Sequence, residues 1–456
     1  MTRPGPLVTP SEVTEMDLQQ STGLPRTPGG RHVFAAWAAA DIVSVVGSRI
    51  ASLAIPWFVL TTTGSAEQTG AVVMAQLAPM VVTKALAGPV LDRVGPARAA
   101  PWLDTASSLT AFCIPALHAT QHLSAATLLF LAATLGTLRG PADAAKYALV
   151  PDVAHVAQQP MERVTGIAGT TERLASSAAV AGGGWLIAAM GGPGAIVVTA
   201  VGFAGSAALL ALVVRPSIAA PGIAETSKGP AAGLRSYVRD LADGGSFVRR
   251  EPVLRAIAMM TAVTNMIDQA WIAVLVPVWA VHHQYGSDTV GTILGTMTGA
   301  AIIGSLAAAG LGPRMPRLAT YSAGYLIAGL PRYLVFALDL DLPVILTVLA
   351  IAGIGSGVLN PIISAVQFER TPTSAVSRVS SLMTATAWML MPFGGFLGAK
   401  LLGCLGLSAA LTTLGTVYLA ATLAPLIRPS FRAISHRPCE ASDGGERTDN
   451  VAPRPA

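Results

Sequence analysis

Residues 55–70 read IPWFVLTTTGSAEQTG, and residues 276–291 read VPVWAVHHQYGSDTVG. In each stretch a proline precedes a glycine by fourteen residues, Pro56 before Gly70 and Pro277 before Gly291. Twenty-three residues beyond each glycine stands an arginine, Arg93 and Arg314. A single match of this kind has little weight. Two at corresponding places point to a duplicated unit, with two halves of the chain related in parallel.

The surrounding text is apolar. Of 456 residues, 52% are hydrophobic and only 12% charged, against about 25% charged in soluble domains. Runs long enough to cross a bilayer fall near 34–60, 68–88, 101–118, 124–146, 165–190 and 193–214. Six more follow near 254–281, 288–310, 317–337, 342–366, 377–402 and 406–427. In hydrocarbon such a span satisfies its backbone as a helix. The expected fold is an all-α polytopic membrane protein, with twelve transmembrane helices in two six-helix pseudo-symmetric halves. The expected organisation is a polar, proline-rich disordered tail over 1–30 without a signal-peptide core, and a first bundle over 31–215. A cytoplasmic loop over 216–250, a second bundle over 251–428 and a disordered tail over 429–456 complete it.

Arginine and lysine alternate from end to end of the bundle. They occupy the N-terminal tail, the second loop (Arg93, Arg98), the fourth (Lys146, Arg163), the long sixth, the eighth (Arg314, Arg317), the tenth (Arg370, Arg378) and the C-terminal tail. The odd-numbered loops carry none, and Lys400 stands at the end of its helix. Positive residues concentrate on the cytoplasmic side. Both termini are therefore expected in the cytoplasm and the chain in the cell membrane. The bias of arginine over lysine, with abundant Ala, Gly and Pro, accords with a bacterial genome rich in GC.

The loop after the second span reads GPVLDRVGPARAA, residues 88–100. Gly88, Asp92, Arg93, Gly95 and Arg98 match the loop signature of the major facilitator superfamily, which this chain resembles. Pro96 and Ala97 stand where basic residues are usual. GSRIASLAIPWFVLTTTGSA (47–66), AKYALVPDV (145–153) and GGSFVRREPVLRA (244–256) look like the twelve-helix drug- and siderophore-exporter branch. The resemblance covers about 31–428 and implies a monomer. It also implies that Asp92 docks on the start of the eleventh helix, near Ser377 to Ser380, as a conformational latch. Ala178 and Ala179 replace the Gly-Pro pair that antiporters of this branch often carry in the fifth helix.

Charges inside apolar spans are costly and mark function or pairing. Asp41 and Arg49 lie in the first span, about 12 Å apart along a helix axis. Arg139 lies in the fourth, Glu172 and Arg173 in the fifth, Asp268 in the seventh. Lys84, Lys400 and Arg332 are expected to snorkel, and Asp104, Asp143 and Glu162 to sit at the membrane interface. In the superfamily fold, helices one, four, seven and ten line the cavity. Asp41, Glu172 and Asp268 are the candidates for proton coupling, since burial raises a carboxylate toward physiological pH. Arg49, Arg139, Asn265, Trp271 and Asn360 are the cavity or substrate candidates. Fixed Asp–Arg pairs that only set packing are the alternative for Arg49 and Arg139. Gly291, Gly295 and Gly299 share one helix face, and Gly182 to Gly184 form a second smooth surface, suited to close helix approach.

No Walker A loop, HExxH or GxSxG occurs, so neither ATP drive within the chain nor enzymology has a motif to rest on. No cofactor or metal is expected. Cys113, Cys404 and Cys439 are scattered, and His118, His122, His282 and His283 lie in loops without ligand spacing. No basic stripe with interleaved aromatics suggests nucleic acid. The expected partners are the bilayer, a small-molecule substrate and protons. The expected function is secondary active export of a small organic molecule by alternating access, through proton antiport. Import or facilitated entry of a nutrient is the alternative.

Overall fold

The computed structural model describes residues 30–218, 245–311, 316–371, 376–427 and 431. The two tails, most of the loop 216–250 and the side chains of Glu162, Arg173, Ser377 and Arg378 lie outside the described residues. The first half contains α1 (Gly30–Thr63), α2 (Ala66–Val94), α3 (Pro96–Ala119), α4 (Ala125–Ala148), the short α5 (Val150–Ala157) and α6 (Met161–Leu209). The second half contains α7 (Pro252–Ala270), α8 (Val276–His282), α9 (Ser287–Leu311), α10 (Arg317–Ala328), α11 (Leu330–Ala337), α12 (Leu342–Gly357), α13 (Leu359–Arg370), α14 (Val376–Met389), α15 (Met391–Leu405) and α16 (Leu407–Thr422).

Nine segments among the described residues are long and apolar enough to cross a membrane. The difference from twelve has local causes. One of the nine, Arg163–Ile218, doubles back at Gly191, where φ is 72° and ψ 169°, a backbone that glycine adopts without a Cβ penalty. Gly183 lies beside Ile50 and Leu53, and Gly192 beside Phe58. Beyond the break Phe203 lies beside Gly47, and Gly202 beside Val43. The two limbs therefore run along α1 in opposite directions. The other two expected spans correspond to α3, 24 residues long, and to α10 with α11, broken at Gly329.

Proline and π turns interrupt other rods. Residues Trp271–Leu275 form a π turn between α7 and α8. The helices after the breaks at Gly329 and Leu390 open with Pro331 and Pro392, as expected where the ring cannot continue a helix.

The duplication read from sequence reappears in the packing. Gly136 and Gly140 of α4 bring that helix onto the carbonyls of Gln76 and Met80 in α2. Gly353 and Gly357 of α12 do the same to Met297 and Ala301 in α9. Lipid offers no hydrophobic drive between helices, so backbones in van der Waals contact supply the cohesion.

The two halves meet at the arginine-poor end. On the α9 face, a Cβ at Gly291 would fall 2.8 Å from the Gly184 Cα, and one at Gly295 2.7 Å from the Ala181 Cβ. Gly299, one turn further toward the arginine-rich end on the same face, has nothing within 4 Å. On the other flank, a Cβ at Gly70 of α2 would lie 2.6 Å from the Gly395 carbonyl of α15. Val73, Ala273, Val274 and Ala399 seal that contact as a small apolar cluster. Lys400 and Glu67 close it across the halves at 2.5 Å, both about half exposed or more. Among the described residues the bundle is thus shut at the arginine-poor end and parted at the other.

At the shut end His283 joins two loops of the second half. Its Nδ1 donates to the Trp279 carbonyl at 2.9 Å, and its Nε2 to Asp339 Oδ1 at 2.7 Å. The backbone bond and then the carboxylate hold this imidazole above its ordinary value of 6.5. Asp339 is held below the usual carboxylate range by the same contact. The link is complete below the ordinary imidazole value and is lost as pH rises through the raised one. In an NMR titration His283 should titrate above an exposed histidine, and Asp339→Asn should bring it down; an unchanged midpoint would disprove the link.

Gly291→Leu should strain the shut conformation by about 1–3 kcal/mol. Spin-label distances between positions 66 and 401 should lengthen in that variant, and an unchanged distribution would refute the tight-seal reading.

Candidate functional site

α4 carries Arg139, Asp143 and Lys146 at spacings of four and three, one face of a helix. That face turns into the first bundle toward Asp104 of α3, Ser44 of α1 and Ser206 on the second limb of α6. Arg139 Nη1 donates to Asp104 Oδ1 at 2.6 Å. Its Nη2 donates to Asp143 Oδ1 at 2.6 Å and to Ser44 Oγ at 2.8 Å. Lys146 Nζ donates to Ser44 Oγ and lies 3.3 Å from Asp104 Oδ2. Ser206 Oγ completes Asp104 at 2.6 Å. The guanidinium stands 4.4 Å from the centre of the Phe203 ring. Trp37 Nε1 donates to the Lys146 carbonyl at 3.2 Å.

The two cations and two carboxylates sum to zero, as burial demands. Asp104, Arg139 and Lys146 are at most 3% exposed. These positions correct three expectations. Asp104 and Asp143 are not interfacial, and Lys146 is not a loop charge. Sequence reading ended the fourth span at residue 146, whereas α4 continues to Ala148 and α5 follows at once. The charges therefore sit deeper in the bundle. The spacing of 139, 143 and 146 was the available signal; Ser44 and Ser206 carried none.

Asp41, Arg49 and Glu172 surround the open side of this cluster. Asp41 is half-buried, and Arg49 and Glu172 are exposed. Asp41 feels the charges of Lys146, Asp143, Glu172 and Asp104, and Asp143 those of Lys84 and Arg49. Among the described residues none of Asp41, Arg49 and Glu172 makes an ion pair. Lys84 does not snorkel: its ammonium lies 4.6 Å from the Trp388 ring centre, on α14 of the other half.

The second half holds a separate pair. Arg332 Nη2 donates to Asp268 Oδ1, and Tyr333 Oη donates to the same oxygen at 3.4 Å. Trp271, Tyr333 and Tyr418 surround the guanidinium with ring centres 5.2, 4.9 and 4.9 Å away. Arg332 is 2% exposed, which overturns the expectation that it snorkels. Pro331 sits at the start of α11 just past the Gly329 break, and the new rod aims the next residue inward. Trp271 is fully buried with an unpartnered indole N–H, so its face stacks on protein rather than lining a cavity in this conformation. Asn265 donates to the Ala387 carbonyl of α14 at 3.0 Å. Asn360 is exposed.

Gly95, at φ 85°, ends α2 and starts α3, with its N–H bonded to the Leu91 carbonyl at 2.8 Å. Gly88 is half-buried in α2. Asp92, Arg93 and Arg98 are exposed and form no ion pair or side-chain hydrogen bond among the described residues.

A helical bundle in two glycine-packed halves, shut at one end and charged inside, is the architecture of an alternating-access carrier. The profile of the Major Facilitator Superfamily matches residues 38–396, and again 258–438. The chain belongs to the Major Facilitator Superfamily. Its members are transporters, and a bilayer and a small-molecule substrate follow from membership. The multidrug efflux pump Tap of Mycobacterium tuberculosis is 28% identical over 402 residues, spanning 88% of this chain and 94% of the pump. The pump of that name from Mycolicibacterium fortuitum is 26% identical over 398 residues, or 87% and 95%. Among solved structures, a POT family transporter superposes with a TM-score of 0.65 at 14% identity, covering 86% of this chain and 95% of its own. A bacterial homologue of the iron transporter ferroportin, in an inward-facing state, gives 0.65 at 13%, covering 89% and 99%. These structures share the fold with this facilitator.

Asp104 should be structural. Asp104→Asn and Lys146→Met should each destabilise the solubilised protein by about 3–5 kcal/mol, the cost of stranding a buried partner. The double variant should cost less than the two together. Additive losses in thermal unfolding would show that the pair is not coupled.

Proposed function

We propose that this facilitator exports lipophilic small molecules against inward proton flow. The observation that carries this reading is the asymmetric closure, shut at the arginine-poor end and open at the arginine-rich one. By the positive-inside rule the arginine-rich end, with both termini, faces the cytoplasm. The open cleft is then positioned to load from the cytoplasm or the inner leaflet. Kinship with Tap multidrug efflux pumps along most of both chains supports the outward direction.

Protons enter through Asp41 and Glu172, the cleft carboxylates that lack a fixed counter-ion. Asp268, bound to Arg332, is the weaker of the three candidates. Arg49 and Asn360 face substrate, Arg139 holds the charge cluster together, and Asn265 and Trp271 shape the second half. The loop from Gly88 to Arg98 latches the cytoplasmic end when the cleft closes, through Asp92 and the start of α14. The chain works as a monomer.

Inverted vesicles with an acid interior and a pH-reporting dye test the reading. Adding lipophilic antibiotics and dyes one at a time should release protons in wild type. Asp41→Asn and Glu172→Gln should reduce the release, and Asp268→Asn should reduce it less. Further acidification on substrate addition would establish symport instead, the reading that Ala178 and Ala179 keep open.

A further inference from the structure

Lys84 carries its charge inside a membrane span. It stands on α2 ten residues before the helix ends at Val94, about 15 Å along the axis, too far for its stem to carry the ammonium past the helix end. Among the described residues it makes no ion pair and no side-chain hydrogen bond. Its ammonium lies over the ring of Trp388 on α14, 4.6 Å from the centre. Both side chains are half-buried. Each backbone is pinned to its own half. A Cβ at Gly140 of α4 would lie 2.8 Å from the Lys84 nitrogen, and the Ala387 carbonyl beside Trp388 takes the Asn265 amide at 3.0 Å. Only the two side chains cross the gap, on the arginine-rich side of the Gly70–Gly395 seal.

The duplicated half shows that close packing does not ask for this pair. Gly70 meets Gly395 on one flank and Gly291 meets Gly184 on the other, which aligns Gly70 with Gly291 and Gly395 with Gly184. The same register puts Ser305 where α2 has Lys84, and Ser177 where α14 has Trp388. A second contact gives the same alignment: a Cβ at Gly357 would lie 2.8 Å from the Ser305 nitrogen, as one at Gly140 would from that of Lys84. One flank thus carries two small hydroxyls, the other a cation on an aromatic face. An ammonium within a span is costly, and a methionine would fill the same space without that cost. The pair has a task that packing does not explain.

We propose that the Trp388 ring is a cation-binding face of the cleft and that Lys84 is its tethered occupant, displaced by an organic cation. An indole face attracts a cation within about 6 Å of its centre. A lysine ammonium is compact and strongly hydrated, so it gives up much hydration to sit there. A planar cation of spread charge gives up less and also covers apolar ring area, so it takes the face at lower cost. The displaced ammonium has a second place to go in its own half, because Asp143 on α4 is 30% exposed and already feels the Lys84 charge. A bound cation then replaces a contact between the halves, and weak binders fail to dislodge the lysine. That such cations are cargo rests on the export reading above; the occupied ring does not.

Fluorescence polarisation of ethidium, a planar permanent cation, tests the site on the full chain in nanodiscs of zwitterionic lipid, with no proton gradient. Lys84→Met vacates the ring and should tighten binding about fivefold, within the range of a cation on an indole face. Lys84→Arg keeps the charge and stacks better on an aromatic ring, so it should bind ethidium more weakly than wild type. Plain repulsion between like charges predicts no change there. Trp388→Leu should weaken binding by a similar factor and cancel the gain from Lys84→Met in the double variant. Trp388→Phe should fall between, which excludes simple misfolding. Unchanged affinity in Trp388→Leu, a gain from Lys84→Met that survives without the tryptophan, or Lys84→Arg equal to wild type overturns the proposal. If binding follows the expected pattern while no compound moves protons in the vesicle assay, the antiport reading fails and the cation site stands.

Discussion

Backbone-to-backbone contact at glycine is the constraint on which this bundle depends. Lipid tails are as apolar as leucine, so burying leucine between helices gains little in a membrane. Cohesion comes from close approach, which only a missing side chain permits. Gly136 and Gly140 fix α4 on α2, Gly353 and Gly357 fix α12 on α9, and these pairs set the shape of each half. The same device, at Gly184 with Gly291 and Gly70 with Gly395, joins the halves at one end. Contacts without interlocking side chains hold when closed and separate without rotamer barriers, as suits surfaces that must part in each cycle.

On that frame the halves have diverged in chemistry. The first bundle places a four-charge cluster on α3 and α4, with three further ionisable side chains around its open side. The second seals one Asp–Arg pair inside an aromatic wall of Trp271, Tyr333 and Tyr418. In a low-dielectric interior each arrangement must be neutral and well bonded. Each leaves one carboxylate oxygen without a partner among the described residues, Asp143 Oδ2 in the first and Asp268 Oδ2 in the second.

Much of this was legible in the sequence. The paired Pro–Gly–Arg spacing gave the duplication, and the alternating arginines distinguish the two ends of the bundle. The buried cluster was misread for a simple reason. The third span was drawn from 101 and the fourth to 146, which put Asp104 and Asp143 near span ends, assigned to the interface, and Lys146 in the loop, whereas α3 starts at Pro96 and α4 continues to Ala148. Asp104 meets Arg139 across 35 residues of chain and Ser206 across 102; no local pattern announces such partners. Arg332, expected to snorkel, was misplaced because α11 starts afresh just past the Gly329 break and turns its first side chains inward.

The Glu67–Lys400 bridge spans the two halves with both side chains well exposed. Charges in water are screened over about 8 Å at physiological ionic strength and about 3 Å at 1 M, so the strength of this clasp is set by the medium that bathes it. The glycine and alanine surfaces beneath it are dry and indifferent to salt. Because an exposed pair contributes little, the balance between shut and open carries a small dependence on ionic strength: salt weakens the clasp and leaves the glycine contacts unchanged.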